Sequence, residues 1–429
     1  MKSEIKNLAK GLISFIDASP TAFHATENIE TVLKKNGFSQ LPEDVSWKIK
    51  KNGKYFVKRN DSSIIAFITG SKNPAQSGFH IIGAHTDSPL LKIKTETENC
   101  AAGIVRVATE TYGGPLINTW FDRDLGIAGK VMVKTAKGYS AKLLKIDRPV
   151  AIIPSLAIHL NREANKGFEF NPQNHLQAVI STDSGSKDVL KTIVAKELKT
   201  KKENVGEMDI FLYDLQKGTF YGSGDELISS GRIDNLQMCH AILEALLSIK
   251  KSDKTLVAAF YDNEEIGSKT LMGADSNFTK SILERITLLQ CEGKDDFYRA
   301  ISKSFLVSAD GAHAQHPNFP EKHDPGYVPK LNKGPVIKLS ASFRYATTAE
   351  SSAYFAKLCE TTGVPFQKMA NRSDVRSGST IGPLSSASLG IKAVDVGNAM
   401  WAMHSIRETA GTLDHWYMTK VLTAFLGGK

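Results

Sequence analysis

The stretch Leu256-Val-Ala-Ala-Phe-Tyr-Asp-Asn-Glu-Glu-Ile-Gly-Ser268 joins an apolar segment to a cluster of acidic residues. Its first six residues, 256–261, are apolar and typical of a buried strand. Three acids follow within four positions: Asp262, Glu264 and Glu265. Carboxylates behind a buried strand are costly unless a cation compensates them. In α/β proteins the carboxyl end of a strand is also where ligands bind. The stretch therefore predicts a strand-end site, with an acidic solvated loop as the alternative.

The two adjacent glutamates of this stretch can have different chemical roles. Neighbouring side chains on an extended or tightly turned backbone diverge, so Glu264 and Glu265 can take different jobs. One carboxylate can bind a metal ion while the other accepts and returns a proton. Whether this hypothesis holds depends on what the rest of the chain supplies.

Length and composition describe an ordinary globular protein. The 429 residues suffice for two domains or for one domain with an insertion, and 41% hydrophobic and 23% charged residues are typical values. No apolar run reaches about 18 residues, so we expect no membrane partner. The four cysteines lie far apart without a C-x-x-C pair, which favours reduced thiols in a cytoplasmic protein.

The formal net charge of +9 requires a nucleic-acid partner to be considered. The lysines are dispersed, and the densest patches, at 50–51 and 199–202, are short. A solvated basic surface is the preferred interpretation, so we expect no nucleic-acid partner.

Two kinds of sequence texture divide the chain. Helix-like and strand-like segments alternate in residues 1–92 and again in 222–429, which predicts one α/β catalytic domain in two parts. Between them, residues 93–221 consist of short alternating segments separated by turn residues, which predicts an inserted β-rich domain. The polar stretch 161–175 in this insertion is too long to be only a connection.

Polar residues with metal-ligand character recur at the ends of strand-like segments. Strand ends of one sheet converge, so these side chains can line one crevice. Two histidines and several carboxylates form an N/O ligand set that suits zinc, manganese or cobalt. The number of ligands is sufficient for two ions if one carboxylate bridges them. The residues are His85, Asp234 (at the start of a helix), Glu264, Glu265, Asp310 and His404.

Asp87 adds a supporting residue to this set. A histidine that binds a metal commonly donates its other N–H to a carboxylate. Asp87 lies two residues after His85, on the same side of an extended chain. A capping or turn role for Asp87 is the alternative.

Other catalytic motifs do not occur. The sequence contains no G-x-S-x-G elbow, no P-loop and no H-E-x-x-H helix. His313, His316 and His323 crowd behind Asp310, and we expect them to support the loop or the ligands rather than to bind metal.

Taken together, the motifs resemble the aspartyl aminopeptidases, family eighteen of the metallopeptidases, which are dinuclear zinc exopeptidases. The resemblance covers essentially the whole chain and is specific because the motifs occur together in this order. They are Gly83-Ala-His-Thr-Asp-Ser-Pro89, Arg232-Ile-Asp-Asn235, Asp262-Asn-Glu-Glu-Ile-Gly-Ser268, Asp310-Gly-Ala-His-Ala-Gln-His-Pro-Asn318, Arg344-Tyr-Ala-Thr347, Gly378-Ser-Thr-Ile-Gly-Pro383 and Met403-His-Ser-Ile-Arg-Glu408.

The resemblance implies a fold and a metal site. The fold is a phosphorylase/hydrolase-like α/β/α catalytic domain interrupted by a β-rich dimerisation domain. Two Zn²⁺ ions are implied per subunit, with Co²⁺ or Mn²⁺ as possible substitutes. Glu264 is implied as the general base and Asp87 as the residue that orients His85. The implied ligands are His85, Asp234 and Asp310 for one ion, and Asp234, Glu265 and His404 for the other, with Asp234 bridging.

The resemblance also implies an assembly and a substrate. Related enzymes form tetrahedral dodecamers, in which a histidine matching His159 reaches a neighbouring active site. Lys338 matches a lysine of the pocket for the substrate side chain, and Tyr345 matches a donor to the oxyanion. The expected reaction is removal of an N-terminal Asp or Glu from peptides with a free N-terminus, by a water that bridges the two ions. Arg372-Ser-Asp374 departs from the family, which usually has Asn before the Asp.

Several alternatives stay open at this point. The pocket can prefer neutral or apolar N-terminal residues. Alternatively, the same pattern of metal ligands can belong to a dinuclear-metal deacylase or carboxypeptidase. A non-catalytic scaffold is a different-class alternative, against which the complete ligand set and Glu264 argue.

Overall fold

The computed structural model describes residues 3–183 and 185–428 of the chain. The α-helices are α1 (Ser3–Ala18), α2 (Ala22–Lys35), α3 (Pro74–Ser77), α4 (Pro172–His175), α5 (Val189–Glu197), α6 (Ile233–Ser248), α7 (Phe278–Gln290), α8 (Asp296–Ser302), α9 (Ala349–Thr362), α10 (Ile381–Leu389) and α11 (Thr412–Leu426). The β-strands are β1 (Ser39–Gln40), β2 (Lys54–Arg59), β3 (Ser63–Ile68), β4 (Phe79–His85), β5 (Leu90–Ile93), β6 (Asn99–Ala101), β7 (Ile104–Val107), β8 (Thr109–Tyr112), β9 (Leu125–Thr135), β10 (Gly138–Ala151), β11 (Ala178–Ser181), β12 (Val205–Asp214), β13 (Thr219–Tyr221), β14 (Leu227–Ser230), β15 (Thr255–Tyr261), β16 (Phe305–Ala309), β17 (Ala312–His313), β18 (Val336–Lys338), β19 (Gln367–Met369), β20 (Lys392–Gly397), β21 (Ala399–Trp401) and β22 (Glu408–Gly411).

These elements form two compact units. The first comprises the chain up to Asp87, Gly218–Met403, and the chain from Glu408 onward. The second comprises Ser88–Lys217 together with His404–Arg407. The domain division at 92/93 and 221/222 remains a prediction from the sequence.

A nine-stranded sheet is the centre of the first unit. Its strand order is β1-β2-β3-β15-β4-β16-β20-β18-β19. The four middle strands, β15, β4, β16 and β20, are parallel to one another. Their carboxyl ends therefore lie along one edge. A smaller five-stranded sheet, β13-β14-β22-β21-β17, belongs to the same unit.

Strand β15 is buried along its whole length, as the apolar run predicts. Every second residue from Leu256 packs into a core shared with α1, α2, α6, α9 and α11. The alternate residues, from Val257, pack into a second core with α7, α8 and α10. Because side chains alternate between the faces of a strand, a strand that is apolar at every position needs a helical layer on each side. The predicted α/β/α architecture is confirmed.

The second unit is built mainly from strands. It contains the five-stranded antiparallel sheet β10-β9-β12-β5-β8 and the three-stranded sheet β11-β7-β6. Its core is formed by inward-facing residues of these strands together with Trp120 and with Leu190 and Val194 of α5. The β-rich texture predicted for residues 93–221 is present, whereas its role in dimerisation stays a prediction.

Most element types agree with the sequence pattern, and the differences have physical causes. Helix α9 begins at a capping box formed by Thr348 and Ser351, and Gly363 ends it in the left-handed region. The sequence of helix α10 shows no helical period of apolar residues, and its Gly382 and Pro383 are unfavourable in most helix positions. Because proline is tolerated in a first helical turn, the segment can be helical, and its packing against the sheet stabilises that conformation. None of the described helices is both long and apolar enough to cross a bilayer.

Two buried histidines join α6 to α11 on one side of the large sheet. Nδ1 of His240 lies 3.0 Å from Nε2 of His415. Burial lowers the pKa of His240 to about 4. Burial and the neighbouring His240 lower the pKa of His415 well below its ordinary value. The fold therefore holds this pair neutral.

The neutral pair predicts a loss of stability in mild acid. A histidine whose pKa is lower in the folded than in the unfolded state stabilises the fold fully above about pH 6.5 and less as pH falls toward 4. We expect His240 to account for about 2 kcal/mol of the unfolding free energy lost between pH 7.5 and pH 5. Denaturant unfolding at both pH values, compared with His240→Gln, measures this difference. Equal pH slopes for the two proteins would contradict it.

Candidate metal centre

The parallel strands of the first unit bring the predicted site residues to one edge of the sheet. His85 is the last residue of β4, Asp310 directly follows β16, and Glu264 and Glu265 follow β15 in a 3₁₀ turn, Glu264–Ile266. Asp234 lies in the first turn of α6, where its ψ of 109° leaves the helical range. These residues therefore converge at the carboxyl ends of the strands, as the sequence pattern predicts.

His85 is the centre of the cluster. Its Nε2 lies 3.6 Å from Oδ1 of Asp234, 3.5 Å from Oδ1 of Asp310 and 4.0 Å from Oε2 of Glu264. His85, Asp234 and Asp310 each offer one ligand atom, with all three atoms within 4.8 Å of one another, and all three residues are buried. Ligand atoms of His85, Glu264 and Glu265 also lie within 4.8 Å of one another, with His85 buried and the two glutamates half-buried.

Asp87 orients both sides of this cluster. Nδ1 of His85 donates a hydrogen bond to the Asp87 backbone carbonyl at 3.0 Å and lies 3.3 Å from its carboxylate. This bond requires the proton on Nδ1 and leaves Nε2 as the basic nitrogen. The Asp87 carboxylate also accepts the backbone N–H groups of Glu264 and Glu265, at 3.2 and 3.1 Å. Asp87 thus holds the imidazole chiefly through its backbone carbonyl, and holds the turn that carries both glutamates through its carboxylate.

Crowded carboxylates shift the pKa values at this edge. Burial alone would lower the pKa of His85, but hydrogen bonds to Asp234, Asp310 and Asp87 raise it well above its ordinary value. Burial raises the pKa of Glu264 to about 8; His85 opposes this rise, and the negative charges of Asp310, Asp87 and Asp234 add to it. The site concentrates more negative charge than the imidazole offsets.

This donor set fits a metal ion. A buried group of carboxylates is stable when a cation compensates it, and nitrogen and oxygen donors without a thiolate suit zinc, manganese or cobalt. The tautomer of His85 presents Nε2 to Asp234 and Asp310, as in a metal-binding histidine whose other nitrogen is held by a backbone carbonyl. His313, His316 and His323 belong to none of the ligand groups found among the described residues.

Three further residues hold the ligands in place, and the ligand pattern in the sequence did not identify them. The Glu408 carboxylate accepts the backbone N–H of Asp234 at 3.0 Å. The side-chain amide of Asn235 donates to the Ala309 carbonyl at 2.9 Å, next to Asp310. The Cys239 thiol donates to the His85 carbonyl at 3.0 Å. Glu408 and Asn235 do end two of the quoted motifs, whereas nothing in the sequence marks Cys239.

Lys338 and Tyr345 lie beside Asp310. The Lys338 side chain is only 2% exposed, and its Nζ is 3.4 Å from Oδ2 of Asp310. The same nitrogen lies 5.3 Å from the centre of the Tyr345 ring. Burial alone would lower the pKa of Lys338, but the negative charges around it, that of Asp310 first, together raise the pKa above its ordinary value, so the amine is protonated. Burial raises the pKa of Tyr345, so its hydroxyl keeps its proton at neutral pH.

The remaining two predicted residues belong to the second unit. His404 has a φ of +68°, and its Nδ1 lies 3.1 Å from the Gly114 carbonyl. That hydrogen bond places the proton on Nδ1 and leaves Nε2 basic, as in His85. His159 is exposed in the segment 154–163.

A parallel α/β sheet with a buried imidazole and converging carboxylates at its carboxyl edge defines a metal-dependent enzyme of the α/β/α class. The family described as Aminopeptidase I zinc metalloprotease (M18) matches residues 15–426. The chain belongs to this family. It is a metallo-aminopeptidase, a hydrolase that acts on peptide bonds.

Relatives and solved structures agree with this assignment. The "Probable M18 family aminopeptidase 2" of Clostridium acetobutylicum is 48% identical over 431 residues, covering 99% of each chain. The protein of that name from Pseudomonas aeruginosa is 43% identical over 423 residues, covering 97% of each.

Among solved structures, the "Cryo-EM structure of the Ape4 and Nbr1 complex" has a TM-score of 0.95 at 37% identity, covering 99% of this chain and 86% of that one. The "Structure of S. cerevesiae mApe1 dodecamer" has a TM-score of 0.87 at 29% identity, covering 98% and 97%.

Proposed function

We propose that this enzyme removes an N-terminal Asp or Glu from peptides with a free N-terminus, with two zinc ions per subunit. The observation that carries the proposal is the buried cluster of His85, Asp234 and Asp310 with Glu264 beside it. The four free cysteines fit a reducing compartment, so we place the enzyme in the cytoplasm.

Five residues would hold the ions. His85, Asp234 and Asp310 have the proximity and burial for one ion. Glu265 and His404 would join Asp234 at the other, with Asp234 bridging; this part rests on family resemblance and on the tautomer of His404. Cobalt or manganese can substitute, because the donors are nitrogen and oxygen.

The chain's own residues handle the protons. When bound, the ions polarise the scissile carbonyl and lower the pKa of the attacking water. The Glu264 carboxylate accepts the proton of that water on one of its oxygens and then donates it to the leaving amine. The Asp87 carboxylate accepts the backbone N–H of Glu264 and so holds the turn that carries this side chain.

Tyr345 is the proposed donor to the oxyanion. Its hydroxyl is protonated at neutral pH, and the centre of its ring lies 5.3 Å from Nζ of the buried Lys338. A donor aimed at developing negative charge in a water-poor site stabilises the transition state more than the ground state.

The acidic preference rests on Lys338. A buried ammonium has three donors, and the nearest carboxylate is that of Asp310. The side-chain carboxylate of an N-terminal Asp or Glu would add a second anionic partner, whereas an apolar substrate would add none. The alternative, a preference for neutral or apolar residues, is supported by the deep burial of Lys338 and its existing ion pair with Asp310.

A peptide series separates these possibilities. We expect metal-dependent release of Asp and Glu, but not of Leu or Lys, from matched peptides with a free N-terminus, and no release from acetylated ones. Lys338→Met should lower kcat/KM for the Asp peptide by about two orders of magnitude and for the Leu peptide much less. Release of Leu by the wild type at the Asp rate would remove the acidic preference. Cleavage of acetylated substrates alone would support a deacylase.

We also propose that the chain assembles into a tetrahedral homo-dodecamer in which His159 contributes to a neighbouring active site. The segment around His159 exposes Leu156, Ile158 and Leu160, the last by 75%. Apolar side chains exposed together are typical of a protein–protein contact.

The assembly has a direct measurement. Light scattering should give about twelve times the subunit mass of 46.8 kDa. Leu160→Asp should yield smaller species because it places a charge in the contact. His159→Ala should keep the mass and lower activity by about tenfold to a hundredfold. A monomer of full activity would refute the proposal.

A further inference from the structure

Asp395 is a fully buried carboxylate that the mechanism above does not use. It lies in β20, directly opposite Ser308 of β16, and its exposed fraction is 0%. Its Oδ1 accepts hydrogen bonds from the hydroxyls of Ser308 at 2.5 Å and Thr380 at 2.6 Å. Its Oδ2 accepts the backbone N–H of Ala346 at 2.6 Å.

The three donors come from three separate segments at the edge of the sheet. Ser308 precedes Asp310 by two residues, Ala346 directly follows Tyr345, and Thr380 directly precedes α10. The backbone N–H of Asp395 also donates to the hydroxyl of Thr347 at 2.9 Å. The loop that carries Tyr345 is therefore attached to β20 at two successive residues, Ala346 and Thr347.

A close approach of backbone to the carboxylate completes this arrangement. A side chain at position 382 would place its Cβ 2.3 Å from Oδ2 of Asp395, so only glycine fits there. Gly382 thus lets α10 approach Asp395 directly. Burying a carboxylate is costly, and a core of apolar residues would stabilise the sheet as well. The cost is understandable if the carboxylate fixes the position of something functional.

We propose that Asp395 is a positioning residue that holds the loop of Tyr345, so that the Tyr345 hydroxyl stays where it donates to the oxyanion. The inference rests on the proposed function in one respect, the role of Tyr345. The carboxylate suits this task because it accepts from a backbone N–H of the loop and from two hydroxyls at once. The raised pKa of Asp395, caused by burial and opposed by these hydrogen bonds, agrees with a group enclosed by the fold.

Two substitutions of Asp395 separate contact from charge. Asp395→Ala removes the three hydrogen bonds of the carboxylate and leaves the loop attached to β20 only through the backbone N–H of residue 395 and the Thr347 hydroxyl. Asp395→Asn can still accept the Ala346 N–H with its oxygen and donate to the hydroxyls with its amide, because hydroxyls both donate and accept. We therefore expect kcat to fall about thirtyfold in Asp395→Ala, with KM and zinc content unchanged, and to recover to within about threefold of wild type in Asp395→Asn.

A double-mutant cycle with Tyr345→Phe provides the decisive readout. If Asp395 acts through Tyr345, adding Asp395→Ala to Tyr345→Phe lowers kcat no further. Independent losses that multiply in the double variant would overturn the inference, as would loss of zinc from Asp395→Ala. If Tyr345→Phe alone has wild-type kcat, the proposed role of Tyr345 fails; an Asp395→Ala loss that persists in this background then shows that Asp395 acts elsewhere.

A structural control and a milder variant keep the test informative. Glu30→Ala removes a buried carboxylate of α2 that pairs with Lys58 at 2.7 Å, far along the chain from the site residues. We expect it to lower the melting temperature and to leave kcat unchanged. If Asp395→Ala does not fold, Thr380→Val removes one donor with little change of shape. Its kcat should fall about threefold alone and not at all in the Tyr345→Phe background; a loss that is equal in both backgrounds overturns the inference.

Discussion

Glu264→Gln is expected to lower kcat by about a thousandfold or more, with zinc content and KM close to wild type. Gln has nearly the same shape as Glu but cannot accept a proton at neutral pH. The backbone N–H of residue 264 donates to the Asp87 carboxylate, and this bond does not involve the side chain of residue 264. The substitution therefore leaves the turn in place. Only proton transfer is removed.

The measurement compares Glu264→Gln with Glu265→Gln. Steady-state kinetics on an Asp-initiated peptide give kcat and KM, and metal analysis of the same samples gives zinc per subunit. Glu265→Gln should lose zinc because Glu265 is a proposed ligand, whereas Glu264→Gln should keep it. A Glu264→Gln enzyme with more than a tenth of wild-type kcat would show that another group accepts the proton.

Asp234→Ala is expected to abolish both metal binding and activity, with kcat/KM reduced by more than about four orders of magnitude. Asp234 is the proposed bridging ligand, so one substitution weakens both metal positions. Its place at the start of α6 is held by the Glu408 carboxylate through a backbone N–H, which alanine retains. The fold should therefore survive the change.

Thermal unfolding gives a second, independent readout for Asp234. A ligand that binds the folded state raises the melting temperature, so zinc should stabilise the wild type and leave Asp234→Ala unaffected. Asp209→Ala is a suitable control, since Asp209 is an exposed acid of the second unit that pairs with Lys92. An Asp234→Ala protein that still gains stability from zinc would show that the ligands lie elsewhere.

The organisation of the site divides into what local pattern predicts and what it does not. The run 256–261 predicts a doubly buried strand, and β15 is one. The acids and histidines behind such strands predict a site at the sheet edge, where His85, Glu264 and Asp310 do converge. The strand and the convergence of these side chains are present because parallel strands bring their carboxyl ends to one edge, whereas metal binding by these residues stays a prediction.

The α/β architecture, the candidate ligands and, through the resemblance of the motifs, the family could all be inferred from residue patterns. Each depends on the residue types that are present and on their local spacing. The groups that support the candidate ligands became visible only in the folded chain. Cys239 donates to the His85 carbonyl, Glu408 accepts the backbone N–H of Asp234, and Asp395 joins three segments. The physical reason is that such hydrogen bonds join residues distant in sequence. The backbone groups that take part in them carry no side-chain identity, so no local pattern records the partnership.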